Sequence, residues 1–426
     1  MMDNTLEILA QEEHNSRSML HMTSYENQMS ATARSFLSSD LGNRYHLGTP
    51  DTYNGYDTSV EISGFNCRAL PHLHQLELSA CQAARTMFDA RHVELRPVSG
   101  VHAMLTTIAS MTKPGDIIYS IAPEDGGHFA TKHVAETLGR VSGYLAWDNE
   151  LLNIDIKATK EMFQQDAPAM VFLDHGTPLF NLPVSDLKEI IPHECLLVYD
   201  ASHTLGLIAG GCFQNPLSEG ADILQGNTHK TFPGPQKAMV LFKDQALGAR
   251  YSDCVSNGLV SSQHTHHTIA LCITILEMER FGKEYAADML SNAKCLGNNL
   301  LSRNIGLVSC RGTYTTSHEL LIDAGWHDNH LNAADRLFES NISVNGRIAF
   351  SRPTIRLGVQ EITRRGLKNR QMVQIAELLD WCLSASRSKE YVKSRVAELT
   401  SEFQTIHYSF DDLKAAVPER TKEYAL

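Results

Sequence analysis

The stretch Leu197-Val198-Tyr199-Asp200-Ala201-Ser202-His203 decides the fold, because a carboxylate and an imidazole follow directly on a run of apolar residues. An apolar run of this kind is typical of a strand buried on both faces of a parallel sheet. Thirty positions after Asp200, Lys230 follows the next strand-like segment, residues 221–226. Ligands of open parallel sheets bind beyond the carboxyl ends of the strands. We therefore expect Asp200, His203 and Lys230 to face a common ligand.

Further apolar runs alternate with helical patterns on both sides of this stretch. They span residues 117–121, 169–173 and 238–242. The alternation predicts an α/β protein whose mostly parallel sheet is covered by helices on both faces. Beyond about residue 275 the pattern changes to one that predicts a smaller α+β domain. We accordingly predict an N-terminal arm over residues 1–55, a large domain over residues 56–275 and a C-terminal small domain over residues 276–426.

The composition narrows the class of protein. The chain has 426 residues, of which 42% are hydrophobic and 20% charged, as is typical of a globular protein with a large core. Its 37 basic and 49 acidic residues give a net charge of −12, which speaks against nucleic-acid binding. Nine cysteines without a C-x-x-C pair favour reduced thiols and a cytoplasmic location. No apolar run is long enough to predict a membrane-spanning segment.

A candidate anion site follows the strand-like residues 93–97. Ser99 and Gly100 come next and open a helical segment, so that a hydroxyl and backbone N–H groups would face an anion at a helix N-terminus. A phosphate group suits this place. The alternative is that Ser99 only caps the helix, which is the common role of a serine there.

Asp200 and Lys230 point to an aldehyde cofactor that contains a basic ring nitrogen. A carboxylate at a buried strand end needs a partner, and a protonated heterocyclic nitrogen would serve. A desolvated lysine amine is nucleophilic and forms an imine with an aldehyde. A lone lysine after a strand is usually just solvated. The combination of phosphate site, Asp200 and Lys230 on one sheet is what favours cofactor binding.

Longer motifs resemble the serine hydroxymethyltransferases, which are fold type I enzymes that depend on pyridoxal 5′-phosphate (PLP). The resemblance extends over nearly the whole chain. The motifs that carry it are Glu26-Asn27, Asn43-Arg44-Tyr45, Pro97-Val98-Ser99-Gly100, Asp125-Gly126-Gly127-His128, the run from Tyr199 to Gly211, Thr228-His229-Lys230-Thr231, Gly234-Pro235, His267-Thr268-Ile269-Ala270, Ile355-Arg356-Leu357-Gly358 and Thr363-Arg364-Arg365-Gly366.

The resemblance implies a role for each matching residue. Lys230 would hold the cofactor covalently, and Asp200 would keep its pyridine nitrogen protonated. His128 would stack on the ring, and His203 would support the phenolic oxygen of the ring or the aspartate. The further contacts that the resemblance implies are Ser99, Gly100 and His229 with the cofactor, and Arg356 and Tyr25 with the substrate. Arg356 would grip the substrate carboxylate in a bidentate pair.

The resemblance also implies an oligomer. Glu26 and Tyr45, from the N-terminal arm, would reach into the active site of a second copy and act there as catalytic residues. The expected assembly is therefore a homodimer, or a dimer of dimers, with shared active sites.

Four departures from the family pattern concern the folate-dependent reaction. Leu47 stands where the family has a catalytic Glu, and Tyr25 where it has Ser. Val101 replaces the second serine of the phosphate loop. The Asn-rich and Pro-rich loop that helps to hold folate is cut down to residues 345–348. Because a leucine can neither accept nor give a proton, we expect folate-dependent transfer to be lost.

A fifth departure, Gln236-Lys237 in place of Arg-Gly, resembles the L-threonine transaldolases of natural-product pathways. That branch implies L-threonine and an aldehyde acceptor as substrates. Retro-aldol cleavage would give acetaldehyde and a glycyl quinonoid, and aldol addition would then give a β-hydroxy-α-amino acid. Glu26 and His128 are the candidates for the base that removes the β-hydroxyl proton. Two alternatives stay open: a serine or α-methylserine hydroxymethyltransferase or aldolase, and a non-catalytic paralogue that acts as a binding subunit.

The sequence does not identify the acceptor aldehyde. We expect its specificity to lie in the side chains around Tyr25, His46, Tyr53 to Tyr56 and the histidine loop His264-Thr265-His266-His267. The clustered histidines also suggest a metal site, but no carboxylate or cysteine stands at ligand spacing. We therefore expect no metal.

Overall fold

Apolar runs form strands and the segments between them form helices, as the alternation predicts. The computed structural model describes residues 2–49, 57, 59–62, 64–325 and 330–415. Within these residues the strands are β1 (Leu20–His21), β2 (Ser59–Ile62), β3 (Phe65–Arg68), β4 (His92–Glu94), β5 (Ile117–Ser120), β6 (Val141–Tyr144), β7 (Trp147–Asp148), β8 (Asn153–Ile154), β9 (Met170–Leu173), β10 (Leu196–Asp200), β11 (Ile223–Asn227), β12 (Ala238–Phe242), β13 (Glu319–Asp323), β14 (Ile342–Ser343), β15 (Asn345–Ala349) and β16 (Arg352–Gly358).

The α-helices of the same residues follow in chain order. They are α1 (Met2–Arg17), α2 (Ala31–Ser35), α3 (Pro71–Phe88), α4 (Gly100–Met111), α5 (Ala130–Thr137), α6 (Ile156–Gln165), α7 (Val184–Ile190), α8 (Leu205–Ala209), α9 (Pro216–Glu219), α10 (Gln245–Cys254), α11 (Thr265–Leu301), α12 (His330–Glu339), α13 (Gln360–Arg364), α14 (Asn369–Leu383), α15 (Lys389–Glu402) and α16 (Phe410–Ala415). Single turns of 3₁₀ helix lie at Phe36–Ser38, Asp40–Asn43 and Pro123–Asp125, and a π-helical turn lies at Val255–Leu259.

The chain divides into two compact units. The large unit comprises Asn27–Ala286 and Tyr408–Leu426, and the small unit comprises Met1–Glu26 and Ala287–His407. The predicted division into residues 1–55, 56–275 and 276–426 stays a prediction. Its first boundary and the predicted specificity residues Tyr53 to Tyr56 lie outside the described residues.

A seven-stranded sheet forms the core of the large unit. Its strand order is β4-β12-β11-β10-β9-β5-β6. Strand β12 pairs antiparallel with both of its neighbours, and the other neighbouring strands pair in parallel. Every residue of β9 and β12 is buried, which explains why these strands are apolar throughout instead of alternating. The predicted α/β fold with a mostly parallel sheet is confirmed.

Helix α4 packs on this sheet. Its apolar residues Ala103, Met104 and Ile108 recur at helical spacing and so share one face of the helix. They are buried together with Val198 of β10 and Ile223 of β11. This packing places the N-terminal end of α4 beside the ends of the central strands.

A three-stranded antiparallel sheet, ordered β13-β16-β15, forms the centre of the small unit. Helix α14 of the same unit buries Met372, Ile375 and Leu379, which are spaced three or four residues apart. A separate parallel pair joins β1 to β14, so the first residues of the chain belong to this unit. Helices and an antiparallel sheet together give the predicted α+β architecture.

Residues 345–348, predicted to form a shortened loop, lie in strand β15, so that prediction is wrong. Strand β15 pairs antiparallel with β16 along its whole length. Only Phe350 and Ser351 connect the two strands, and both have positive φ, 52° and 58°. Positive φ at both residues of a two-residue connection is the mark of a type I′ hairpin turn, whose twist matches that of paired strands. The connection between β15 and β16 is therefore a two-residue turn, with no residues for a longer loop.

Candidate active site

A pocket lies in the large unit where the central strands of the seven-stranded sheet end. The pocket is lined by Gly100, Val101, Met104, His128, Asp174, His175, Gly176, Asp200, Ser202, His203, Asn227 and Lys230. The structure thus brings together five of the predicted site residues: Gly100, His128, Asp200, His203 and Lys230.

Lys230 lies three residues beyond the end of β11 and is only 8% exposed. Its Nζ lies 3.0 Å from Nε2 of His203. The backbone on both sides of this contact is held, because Asn27 Nδ2 donates to the Lys230 carbonyl (2.6 Å) and Thr231 Oγ1 donates to the His203 carbonyl (2.8 Å). An amine fixed beside an imidazole that can take its proton is suited to attack on a carbonyl carbon.

Asp200 is the last residue of β10, and both of its carboxylate oxygens accept hydrogen bonds. Oδ1 accepts from the backbone N–H of Ser202 (2.9 Å), and Oδ2 accepts from Nε2 of Gln225 (3.0 Å). Gln225 lies opposite Asp200 on β11, and its Oε1 accepts in turn from the hydroxyl of Thr107 (2.7 Å). Because a carboxylate oxygen has two lone pairs, Asp200 can accept a further hydrogen bond from a ligand.

The start of α4 lies close to the end of β11. Ser99 caps the helix, because its Oγ accepts from the backbone N–H of His102 (3.1 Å). The N–H of Gly100 donates to Oδ1 of Asn227 (2.8 Å). A Cβ at position 100 would lie 2.3 Å from Nδ2 of Asn227, so this approach requires glycine. The capping role of Ser99 is thus observed, and its contact with a phosphate stays a prediction.

Asp174 holds the segment that carries His128. It follows β9, is buried, and accepts hydrogen bonds from the backbone N–H groups of Ile121 (3.1 Å) and His128 (3.3 Å) and from the hydroxyl of Thr131. The His128 ring accepts at Nδ1 from the N–H of Ala130 (3.2 Å). A neutral His128 in this arrangement carries its proton on Nε2.

Burial shifts the protonation of two residues in or next to the pocket. It raises the pKa of Asp174 to about 7, against the hydrogen bonds from Thr131 and Ile121, and the negative charge of Asp200 adds to the rise. Burial and then the charge of Lys230 together lower the pKa of His229 to about 4. At neutral pH, Asp174 is therefore close to its midpoint of titration and His229 is an uncharged imidazole.

In the small unit, Arg356 forms a buried ion pair with Glu319. Its Nε donates to Oε2 (3.1 Å), and its Nη2 donates to Oε1. The ring of Tyr25 lies 5.8 Å from the guanidinium carbon, within the range of a cation–π interaction. Burial raises the pKa of the Tyr25 phenol, and the neighbouring Glu26 adds to the rise. The side chain of Glu26 is half exposed, with Oε2 3.9 Å from Nδ1 of His21.

Tyr45 belongs to the large unit and is 63% exposed. The backbone on both sides of it is held, because Thr265 Oγ1 donates to the Arg44 carbonyl (2.6 Å) and Gln263 Nε2 donates to the His46 carbonyl. The phenol therefore projects from a fixed segment. Its role in the site of a second copy stays a prediction.

The predicted histidine loop is not a loop, because Thr265, His266 and His267 begin helix α11. The histidine rings of this segment pack against one another. The ring centroids of His266 and His267 lie 4.4 Å apart, and those of His264 and His267 lie 5.7 Å apart. Burial lowers the pKa of His267 to about 4, and the neighbouring imidazoles add to this effect. Across the part of the chain that the structure describes, no group of three or more His, Cys, Asp or Glu side chains is arranged to hold a metal ion. The absence of a metal from the enzyme stays a prediction.

Sequence reasoning assigns no role to three of the polar residues in these clusters. Asp174 follows a buried strand, as Asn227 ends one, so both share the strand-end pattern that identifies Asp200. Glu319 meets Arg356 only because β13 pairs with β16. No local pattern in the sequence identifies that contact.

The pocket residues fit pyridoxal 5′-phosphate. Lys230 offers an amine to the aldehyde, and Asp200 offers a lone pair to a protonated ring nitrogen. The N-terminus of α4 offers its positive dipole end to a phosphate. Glycine at position 100 leaves the N-terminus of this helix free of a side chain.

Known proteins resemble this chain along almost its whole length. Residues 1–379 match the family described as Serine hydroxymethyltransferase. Fluorothreonine transaldolase from Streptantibioticus cattleyicolor is 39% identical over 98% of this chain and 66% of its own length, so the chain spans about two thirds of that relative. A serine hydroxymethyltransferase from Methanosphaera stadtmanae is 34% identical over 95% of each chain. The crystal structure of L-threonine transaldolase from Pseudomonas fluorescens, in its internal aldimine state, has a TM-score of 0.90 at 29% identity over 98% of this chain and 95% of its own.

The fold, the lysine-bearing pocket and these similarities define a pyridoxal-phosphate-dependent enzyme of fold type I. Since the family match covers residues 1–379, the chain belongs to the serine hydroxymethyltransferase family. The predicted family, fold and cofactor are confirmed. The contacts of individual residues with cofactor and substrates stay predictions.

No helix among the described residues combines the length and the apolar character needed to cross a membrane.

Proposed function

We propose that this enzyme is an L-threonine transaldolase. It cleaves L-threonine to acetaldehyde and joins the remaining glycyl unit to a second aldehyde, which gives a β-hydroxy-α-amino acid. Two of the similar proteins, fluorothreonine transaldolase and L-threonine transaldolase, support the proposal by the reactions in their names. The observation that carries it is the tight β15–β16 hairpin, which occupies the part of the chain where a folate-holding loop is expected.

The large unit supplies the groups that we assign to the cofactor. Lys230 would bind its aldehyde carbon and Asp200 its ring nitrogen, while Ser99 and Gly100 would bind its phosphate. The remaining assignments are His128 stacked on the ring, and His203 and His229 beside it. When bound, PLP supplies an electron sink for the electron pair that remains on Cα when the Cα–Cβ bond breaks. His203 is placed to take a proton from the Lys230 amine across 3.0 Å.

The small unit supplies the group that we assign to the amino-acid carboxylate. Glu319 fixes the plane of the Arg356 guanidinium through Nε and Nη2, and we assign Nη1 to the substrate. The Tyr25 ring, 5.8 Å from the guanidinium carbon, covers the same group. Holding the carboxylate fixes the orientation of the substrate, which the reaction at its Cα–Cβ bond requires.

Glu26 is a better candidate for that base than His128. Nδ1 of His128 already accepts from the Ala130 N–H, and Nε2 of the neutral ring carries a proton, so this ring offers a donor. An ionised carboxylate offers only acceptors. We therefore assign to Glu26 both the removal of the β-hydroxyl proton of threonine and its return to the hydroxyl oxygen of the product.

We further propose a homodimer, or a dimer of dimers, in which Glu26 and Tyr45 act in the site of the neighbouring copy. The exposure of Tyr45 on a fixed segment supports this arrangement. Nine free cysteines support a reducing, cytoplasmic location. A β-hydroxy-α-amino acid as product fits a role in natural-product biosynthesis.

The proposal is tested by incubating the holoenzyme with L-threonine and benzaldehyde in the absence of folate. We expect acetaldehyde to appear in a one-to-one ratio with a new β-hydroxy-α-amino acid. L-Serine with tetrahydrofolate serves as the parallel reaction. Serine cleavage that depends strictly on tetrahydrofolate, without transfer to benzaldehyde, would overturn the proposal in favour of a hydroxymethyltransferase. A protein that binds PLP and turns over neither substrate would point to the non-catalytic paralogue.

A further inference from the structure

Three charged side chains lie in a row across the small antiparallel sheet. Glu319 belongs to β13, Arg356 to the central strand β16, and Arg347 to β15. In the register of β15 with β16, Asn345 lies opposite Arg356 and Arg347 lies opposite Thr354. Because side chains alternate along a strand, Arg347 and Arg356 share one face as diagonal neighbours, a separation that long side chains bridge.

The two arginines of this row have different partners. Arg356 is buried and bound through two of its nitrogens to Glu319, which is also buried. Arg347 is half buried, and its Nε donates to the carbonyl of the adjacent Ile348 (3.4 Å). Burial, and then the positive charge of Arg356, lower the pKa of Arg347 to about 10. The fold therefore holds two like charges close together at a cost in free energy.

A ligand carboxylate bound by both guanidinium groups would offset this cost. Guanidinium groups bind carboxylates through paired, charge-assisted hydrogen bonds, and two of them can hold both oxygens.

We infer that Arg347 is a second binding residue for the α-carboxylate of the amino-acid substrate, beside Arg356. The inference rests on the proposed function and deepens it, because it assigns the recognition of the amino acid to a pair of arginines. An anionic group on the acceptor aldehyde is the other ligand that Arg347 would suit. The geometry favours the amino acid, since Arg347 lies on the same face of the sheet as Arg356, the residue that we assign to its carboxylate.

The test compares Arg347→Gln and Arg347→Lys with a matched control, Arg352→Gln. Arg352 lies on β16 of the same sheet, is exposed, and is 3.9 Å from Asp323, so the control removes the same charge from the solvent end of the sheet. Acetaldehyde release from L-threonine is measured with benzaldehyde as a neutral acceptor. We expect Arg347→Gln to raise the KM for L-threonine at least about tenfold while kcat changes less than about threefold, which is the signature of lost binding to ground state and transition state alike. Arg347→Lys should recover part of the loss, and Arg352→Gln should behave as wild type.

Two further measurements separate this role from a structural one. With L-threoninamide, which lacks the carboxylate, Arg347→Gln and wild type should have equal KM values. The rise in Tm that saturating L-threonine produces should be smaller in Arg347→Gln than in wild type, and this readout needs no turnover. If Arg347→Gln does not fold, Arg347→Lys carries both comparisons.

The outcomes distinguish the inference from the proposed function. An unchanged KM for L-threonine in Arg347→Gln, with a wild type that is active, would overturn the inference alone. A loss that appears only with 4-carboxybenzaldehyde and not with benzaldehyde would overturn it in favour of acceptor recognition. A wild type that releases no acetaldehyde would overturn the proposed function, and the Tm shift with L-threonine would still decide whether Arg347 binds the amino acid.

Discussion

The pocket of the large unit and the charged row of the small unit are built in opposite ways. In the pocket, three polar residues come from the ends of three strands: Asp174 follows β9, Asp200 ends β10, and Lys230 follows β11. In the row, Glu319 and Arg347 meet Arg356 only because three antiparallel strands pair in one register. The first arrangement is encoded locally and the second is encoded by pairing between distant segments.

The two regions also differ in their electrostatics. In the pocket, hydrogen bonds from the Ser202 N–H and from Gln225 hold the Asp200 carboxylate in place. A hydrogen bond with His203 holds the Lys230 amine. The row places two guanidinium groups on one face of the sheet, where burial and the charge of Arg356 lower the pKa of Arg347. Under the proposed function, the large unit holds the cofactor, whereas the small unit recognises the amino acid and contributes Glu26 as the base.

Lys230→Ala is the sharpest test of that division and has the largest expected effect. Removing the amine should abolish the visible absorbance of covalently held PLP and reduce acetaldehyde release by at least about 1,000-fold, because the loss falls on the chemical step. By contrast, Arg347→Gln should keep the absorbance and lose affinity for L-threonine. Absorbance spectra and initial rates measure both effects.

The matched control for this prediction is Lys243→Ala. Lys243 follows β12, as Lys230 follows β11, but is exposed to solvent. It should keep both the absorbance and the rate. If Lys230→Ala keeps the absorbance and the rate of wild type, the reaction does not depend on Lys230. The proposed difference in function between the two units would then be wrong.

The sequence predicts the pocket well because its physical signals are local. Apolar runs such as residues 169–173 form strands that are buried on both faces, and the polar residue at the end of such a strand has to face a ligand. The same reasoning could have found Asp174. It cannot find the edge strand Val141–Tyr144, whose residues are partly exposed and carry no continuous apolar run.

The charged row of the small unit is harder to predict, because the local sequence pattern of its strands is misleading. Asn345-Gly346 is a pair typical of turns, yet it lies within β15. The actual turn, Phe350-Ser351, contains neither glycine nor asparagine although both residues have positive φ. The pairing of Glu319 with Arg356 depends on that register, and no propensity of either residue indicates it.

A second prediction concerns Asp174, whose buried carboxyl has its pKa raised to about 7. Between about pH 4 and pH 7 the unfolded chain has released this proton while the folded chain keeps it, so the free energy of unfolding falls as the pH rises through this window. In Asp174→Asn that fall is absent. Between pH 5 and pH 8 the stability of the variant relative to wild type should therefore rise by up to about 3 kcal/mol.

Thermal unfolding of the holoenzyme at several pH values measures this trend. Asp253→Asn is the control, because Asp253 is an exposed carboxylate on α10. Its difference from wild type should stay flat with pH. A flat difference for Asp174→Asn as well would mean that Asp174 is ionised throughout and holds the His128 segment as a carboxylate.

The smallest expected effect is that of Leu47→Glu, which restores the carboxylate that the family places at this position. We expect the variant to stay inactive in folate-dependent serine cleavage and to keep its transfer of L-threonine to benzaldehyde within about tenfold of wild type. The reason lies in the small unit: residues 345–348, where a folate-holding loop is expected, form strand β15, and only Phe350 and Ser351 connect this strand to β16. Leu47→Gln is the control of equal size that cannot exchange a proton. Serine cleavage that depends on tetrahydrofolate in Leu47→Glu, and not in Leu47→Gln, would show that one carboxylate in the large unit separates the two reactions and that the hairpin does not.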